Sequence, residues 1–369
     1  MRFTGAKIFG EDFKFSVRDI CVSGGLFSDS SDGVVIDCSG LMMIPGLVDI
    51  HTHGAIGFES IDTDGEAIVA LSDFYAEHGT TTFLPTLATL GEDSLVRCAE
   101  NIARARKIAR GAKIGGIHME GPFFSEKYKG AQNPEFLRSP DAELFFKVND
   151  ASGGLVRLIS IAPEKEGAQE FIKAVKPYAR IAAGHTDADY DTMMEAVRLG
   201  LSQLTHSFNA MRSLHHRSPG ALGAAIDTDI YCELISDGMH VHPAMVRMLY
   251  RAVGAKRLVL ISDSVRPAYL PDGEYNSCGQ RVIVKDGRAT LADGAIAGSS
   301  STLLDCMRRA VEFGIPLTDA VRCATYNPAV ATGMEDACGM IKNGRAADFI
   351  LLDDDLTLRA VYINGRKVK

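Results

Sequence analysis

The chain has 369 residues, well beyond the roughly 100–200 of an average domain. Its 46% hydrophobic and 23% charged residues match ordinary globular proteins, which excludes a disordered chain, a collagen-like repeat and a small disulfide-stapled scaffold. Lys and Arg total 39 against 47 Asp and Glu, for a net charge of −8 without a basic block. Neither nucleic acid nor an anionic membrane is therefore expected as a partner.

The N-terminal stretch MRFTGAKIFGEDFKF lacks the continuous apolar run of a signal peptide, and no run of 18 apolar residues follows. The eight cysteines are scattered without a CxxC pair and are expected to be reduced and buried. A cytoplasmic protein is expected. The first 45 residues read as short strands separated by turns, at 6–9, 13–17, 20–22 and 33–37, without helical periodicity. From Gly46 the texture becomes short apolar runs alternating with amphipathic stretches. The runs lie at 47–53, 80–86, 113–120, 156–162, 181–185, 204–206, 230–235 and 258–263; helical stretches include 66–78, 93–109, 166–175, 187–199 and 244–253. A hairpin-like piece at 280–292 and helical stretches at 302–313 and 317–326 come next, and strand texture returns near the C-terminus.

Eight apolar runs leading into helices predict a (β/α)₈ barrel; a doubly wound open sheet is the competing pattern. The polar residues fall at the C-terminal ends of the runs, which favours the barrel. The two strand-rich ends are expected to pair as a small β-sandwich-like domain. The predicted division is 1–45 and 335–369 for that domain, with the barrel over 46–334.

The histidines carry the chemistry. His51 and His53 close the first run, His185 the fifth and His206 the sixth; His118 and Glu120 end the third, and Asp263 the eighth. Residues two apart on a strand share a face, and barrel active sites lie at the C-terminal ends of the strands. Any one of these residues has a plain reading, as a satisfied polar side chain or a helix cap. So many at strand ends instead predict a divalent metal site, with imidazole and carboxylate ligands suited to Zn²⁺ or Fe²⁺. Such an ion, with a nearby carboxylate outside its ligand set, supports hydrolysis of an amide, ester or C–N bond. The residues alone do not select the substrate.

Pro45-Gly46-Leu47-Val48-Asp49-Ile50-His51-Thr52-His53-Gly54 resembles the first-strand signature of the amidohydrolase superfamily. His118-Met119-Glu120-Gly121-Pro122-Phe123, Gly184-His185-Thr186 and Thr205-His206-Ser207-Phe208-Asn209-Ala210-Met211 narrow the likeness. Asp237-Gly238-Met239-His240-Val241, Ile261-Ser262-Asp263, Ile296-Ala297-Gly298-Ser299 and Asn327-Pro328-Ala329 extend it. In this order they resemble the N-acetylglucosamine-6-phosphate deacetylase family, from about residue 40 to the C-terminus.

The resemblance implies a cytoplasmic homodimer that releases acetate from a 2-acetamido sugar 6-phosphate in amino-sugar catabolism. It implies Glu120, His185 and His206 as metal ligands, with His51 and His53 for a second ion, so one or two divalent ions per subunit. Asp263 takes the general acid/base role and His240 the contact to the scissile carbonyl. Substrate contacts fall to Gln132, Asn209, Ala210, His240 and Ile296, and Arg217 is implied as a phosphate ligand reaching across the dimer. Gln132 stands where some members carry histidine. Ser264-Val265 and Ser300-Ser301 also depart from the commoner wording. His118 reads as support for the ligands, about 7 Å deeper along its strand than Glu120.

The alternatives are an N-acetylgalactosamine-6-phosphate deacetylase, an N-acyl-amino-acid hydrolase or a cyclic amidase, separable by substrate panel. A non-catalytic barrel serving in assembly would be expected to have lost ligands, and all the candidates are present.

Overall fold

The computed structural model describes residues 1–369. The eight barrel strands, in chain order, are Leu47–Thr52, Thr80–Leu87, Ile117–Glu120, Val156–Ile161, Arg180–Ala183, Gln203–Leu204, Tyr231–Ile235 and Leu258–Ile261. Each pairs in parallel with its neighbour. The short strand Lys113–Ile114 runs beside the start of the second, so the expected single run 113–120 is split at Gly115 and Gly116. Between the eighth strand and the first, the seam is closed just past the strand ends, by Asp263 N–H to His51 O (2.9 Å) and by His53 and Gly54 N–H to Ser264 O (2.8 and 3.0 Å).

Amphipathic helices cover the barrel. Glu66–Glu77 buries Ile68, Leu71, Phe74 and Tyr75, and Glu92–Ile108 buries Leu95, Cys98, Ala99 and Ile102, at the i, i+3, i+4 spacing of one face. Helices Ala142–Ala151 and Gly220–Asp227 were not anticipated. The first has a readable start, since Asp141 accepts hydrogen bonds from Glu143 and Leu144 N–H, the action of an N-cap. The largest core packs helices against strands. A smaller one gathers Val48, Leu84, Leu158, Ala182, Ile235 and Val259 from different strands.

The chain ends form two further sheets. In a six-stranded sheet, Met42–Pro45 pairs antiparallel with Phe349–Leu352 and parallel with Lys7–Phe9. In a four-stranded sheet, Arg2–Thr4 lies between Ile20–Ser23 and Val35–Asp37. Strands Arg2–Thr4, Leu26–Ser28 and Met42–Pro45 were not anticipated. A shared core of Phe3, Ile8, Phe27, Met43, Phe349 and Tyr362 joins residues from both termini. Gly46 connects this sheet to the first barrel strand; a Cβ there would lie 2.0 Å from Thr81 Oγ1.

A four-stranded antiparallel sheet, Gly273–Ser277, Gln280–Lys285, Arg288–Leu291 and Ile296–Gly298, follows the eighth strand. It is larger than the hairpin that the sequence pattern indicates, and it walls the mouth of the barrel. No helix is long and apolar enough to cross a membrane.

Candidate active site and metal centre

The candidate ligands converge where the strands end. Glu120 is the last residue of the third strand, whereas His185, His206 and Asp263 each stand two residues beyond theirs. These three have positive φ values of 49°, 26° and 48°, a region costing about 1–3 kcal/mol for a side-chain-bearing residue. The chain bends sharply there, which turns the side chains across the barrel mouth.

Two groups of possible ligands share one carboxylate: His51, His53 and Glu120, and Glu120, His185 and His206, all buried. Glu120 Oε1 lies 3.3 Å from His51 Nε2, 3.2 Å from His185 Nε2 and 3.1 Å from His206 Nε2. Glu120 Oε2 lies 3.2 Å from His53 Nε2. Asp263 stands outside both groups, with Oδ1 3.5 Å from His51 Nε2 and from His53 Nε2.

The tautomers decide whether a cation fits. His185 Nδ1 meets the Tyr128 carbonyl at 3.0 Å, and His51 Nδ1 meets Glu233 Oε2 at 3.0 Å. Both partners only accept, so each Nδ1 carries a proton and each Nε2 is the atom turned toward Glu120, where it would offer its lone pair to a bound cation. The Nε2 atoms of His185 and His206 are 3.1 Å apart, near the separation of two nitrogens at ~2.0–2.1 Å from one ion. Lone pairs facing carboxylate oxygens repel unless positive charge lies among them. Burial opposes charge on His51, but Glu120, Asp263 and Glu233 outweigh it and hold its pKa well above the ordinary histidine range. Burial would raise Glu120, yet the surrounding imidazoles keep it ionised, well below the usual carboxylate value. The donor set fits a divalent ion.

Supporting residues complete the site, and one of them, Glu233, was absent from the sequence reading. Glu233, fully buried in the seventh strand, orients His51, accepts the His206 backbone N–H at 3.1 Å and binds Gln203 Nε2. A glutamate inside the apolar run Tyr-Cys-Glu-Leu-Ile is the signal that could have found it, because a buried charge needs partners. His118 lies in neither ligand group. Its ring stands edge-on to His51, with centroids 4.5 Å apart, and its Nε2 meets Ser160 Oγ at 2.8 Å. Burial and neighbouring imidazoles hold it well below the ordinary histidine pKa, so it stays neutral. His240 Nδ1 lies 2.7 Å from Asp237 Oδ2, leaving Nε2 for the cavity.

A cavity of about 340 Å³ opens above the ligands, within the ~300–1,000 Å³ of small-molecule sites. His53, Glu120, His185, His206, Asp263, His240, Gln132, Asn209, Ala210 and Ile296 all line it. The inserted sheet adds Cys278, Gln280, Val282 and Leu291. Gly298 allows its close approach, since a Cβ there would lie 2.3 Å from Val265 Cγ1. Arg217 is exposed, with Nη1 2.8 Å from His216 Nε2, and it does not line the cavity within one chain.

The match to the model of the amidohydrolase family runs over residues 42–368, the whole barrel and the C-terminal strands. The chain belongs to the amidohydrolase family. Among similar amidohydrolases is N-acetylglucosamine-6-phosphate deacetylase of Bacillus subtilis (strain 168), 38% identical over 88% of this chain and 84% of its own. N-acetylgalactosamine-6-phosphate deacetylase of Escherichia coli O157:H7 is 32% identical over 88% of this chain and 87% of its own. Among solved amidohydrolase structures, a mutant N-acetyl-D-glucosamine-6-phosphate deacetylase from Mycobacterium smegmatis, in complex with N-acetyl-D-glucosamine-6-phosphate, superposes with a TM-score of 0.93. It is 33% identical, covering 100% of this chain and 99% of that one.

Proposed function

We propose that the protein hydrolyses the acetamido group of N-acetyl-D-glucosamine 6-phosphate, yielding D-glucosamine 6-phosphate and acetate. The observation that carries this reading is the position of Asp263, a carboxylate in the cavity beside two histidine pairs that share Glu120 but outside both ligand groups. The B. subtilis and M. smegmatis relatives supply the substrate.

Glu120, His185 and His206 would hold one divalent ion, and His51 and His53, with Glu120, a second; Zn²⁺ and Fe²⁺ suit these donors. When bound, the ion acidifies water and polarises the acetamido carbonyl. Asp263 takes a proton from the attacking water as its oxygen bonds to the carbonyl carbon. It then returns that proton to the nitrogen as the C–N bond breaks. His240, its Nδ1 held by Asp237, turns Nε2 toward the oxygen on which negative charge develops and is the group placed to donate to it. Asn209, Ala210 and Ile296 line the sugar's place. Arg217, outside the cavity of its own chain, would meet the phosphate from a second copy, which makes the working form a homodimer, in a cytoplasmic setting.

Acetate release from N-acetylglucosamine 6-phosphate, its C4 epimer and the unphosphorylated sugar tests the assignment. The 6-phosphorylated gluco sugar is expected to be the best substrate. A preference for the galacto epimer would move the protein to the activity of the E. coli relative. Asp263→Asn is expected to retain metal while kcat falls about 10²–10⁴-fold. Near-normal turnover would remove Asp263 from the mechanism.

A further inference from the structure

We infer that Gln132 is a positioning residue that fixes the shared carboxylate, and that it acts on metal affinity more than on substrate binding. The inference rests on the reading of Glu120 as a metal ligand. Gln132 is buried, 7% exposed, in the segment between the third strand and helix Ala142–Ala151. Its Oε1 accepts the Thr89 backbone N–H at 2.8 Å, and its Nε2 donates to Glu120 Oε2 at 2.6 Å. The amide orientation follows from its partners. A backbone N–H requires an acceptor and a carboxylate a donor, so the flipped amide would lose both bonds.

A glutamate carboxylate turns easily about its last torsion, which has broad, roughly two-fold preferences. Glu120 cannot serve two histidine pairs unless that rotation is stopped. Gln132 grips Oε2, the oxygen near His53, and leaves Oε1 facing His51, His185 and His206. The grip is anchored to backbone just past the second strand, so it does not depend on another mobile side chain. Being neutral, the amide adds no charge beside the ion. It orders the ligand without competing as a cation.

Outer partners of this kind typically change metal affinity by about 10–100-fold. Gln132→Ala and Gln132→Leu, the second close in volume to glutamine, are therefore expected to weaken binding by that factor. Gln132→His keeps one donor and one acceptor in its neutral ring and is expected to restore affinity. The experiment strips each protein with chelator, confirms folding by circular dichroism, and titrates Zn²⁺ and Co²⁺ against a chromophoric competitor. Saturating metal should return KM for N-acetylglucosamine 6-phosphate to the wild-type value, and the Co²⁺ d–d spectrum should change in the Ala and Leu variants only. Unchanged affinity with a raised KM would make Gln132 a substrate contact and overturn the inference. So would an equal loss of affinity in Gln132→His. A wild-type protein that binds metal but lacks deacetylase activity would refute the proposed substrate and leave this inference standing; one that binds neither ion would remove both.

Discussion

At the scale of single residues, the site depends on which atom of each side chain is left free by its neighbours. Asp237 shows this most directly. Burial alone would raise its pKa, but the His240 ring and the N–H groups of Met239 and His240 outweigh it and hold the carboxyl below its ordinary 3.8. A carboxylate whose folded pKa is depressed adds stability above its unfolded pKa and loses it as pH falls through the folded value. Asp237→Asn should therefore unfold less steeply than the wild type as pH drops below 3.8, read by far-ultraviolet circular dichroism. At neutral pH the same variant removes the carboxylate that holds the His240 ring through Nδ1. Its kcat is expected to fall about 10²-fold, as for loss of an oxyanion donor, with metal content unchanged. Full activity in Asp237→Asn would mean that His240 works without its partner.

At the scale of elements, a buried carboxylate ties the wall of the cavity to the segment after the first strand. Glu59, 1% exposed, follows the first strand and reaches the inserted sheet. Its carboxylate accepts the Cys278 N–H at 3.1 Å and the Ser277 hydroxyl, and pairs with Arg266 Nη2 at 2.8 Å. Removing one member of a buried pair costs ~3–5 kcal/mol. Asp62, 2.7 Å from the same Arg266 nitrogen, keeps the arginine paired, so Glu59→Ala should cost about 3 kcal/mol, the low end. The expected result is a lower Tm and a raised KM with unchanged metal content, because no ligand touches Glu59. A normal KM would mean that the sheet holds its place unaided. None of this coupling was legible in the sequence, since Glu59 and Arg266 are separated by 207 positions and neither lies in a periodic pattern. What was legible had a local cause. His51 and His53 stand two apart on a strand, and His185, His206 and Asp263 are polar residues that end apolar runs. The inserted sheet read as a hairpin because period-two alternation gives strands but not the direction in which they fold over. Gln132 was recognisable as a site residue by likeness, whereas its grip on Glu120 needed the third dimension.

At the scale of the whole molecule, the two chain ends meet far from the chemistry. The strand Met42–Pro45, paired with Phe349–Leu352, passes through Gly46 directly into the strand that ends near His51. Six residue-to-residue steps of extended chain at ~3.3 Å each take Pro45 to His51, roughly 20 Å. Phe349 centres the aromatic cluster that closes this end. It stacks on Tyr362 with centroids 4.6 Å apart, meets Phe3 edge-on at 5.0 Å, and lies 5.9 Å from Phe27. Phe349→Ala would remove a fully buried ring that joins Phe3 and Phe27 of the N-terminal segment to Tyr362 of the neighbouring C-terminal strand, at a cost of about 3–5 kcal/mol. If the chain ends form a unit that stabilises the barrel without shaping its mouth, the urea midpoint should fall while kcat and metal content per folded molecule stay at wild-type values. If strain travels along the first strand instead, His51 and His53 shift and the second ion weakens first. Metal titration of Phe349→Ala separates the two cases, because a stability defect alone leaves the affinity of the folded fraction unchanged.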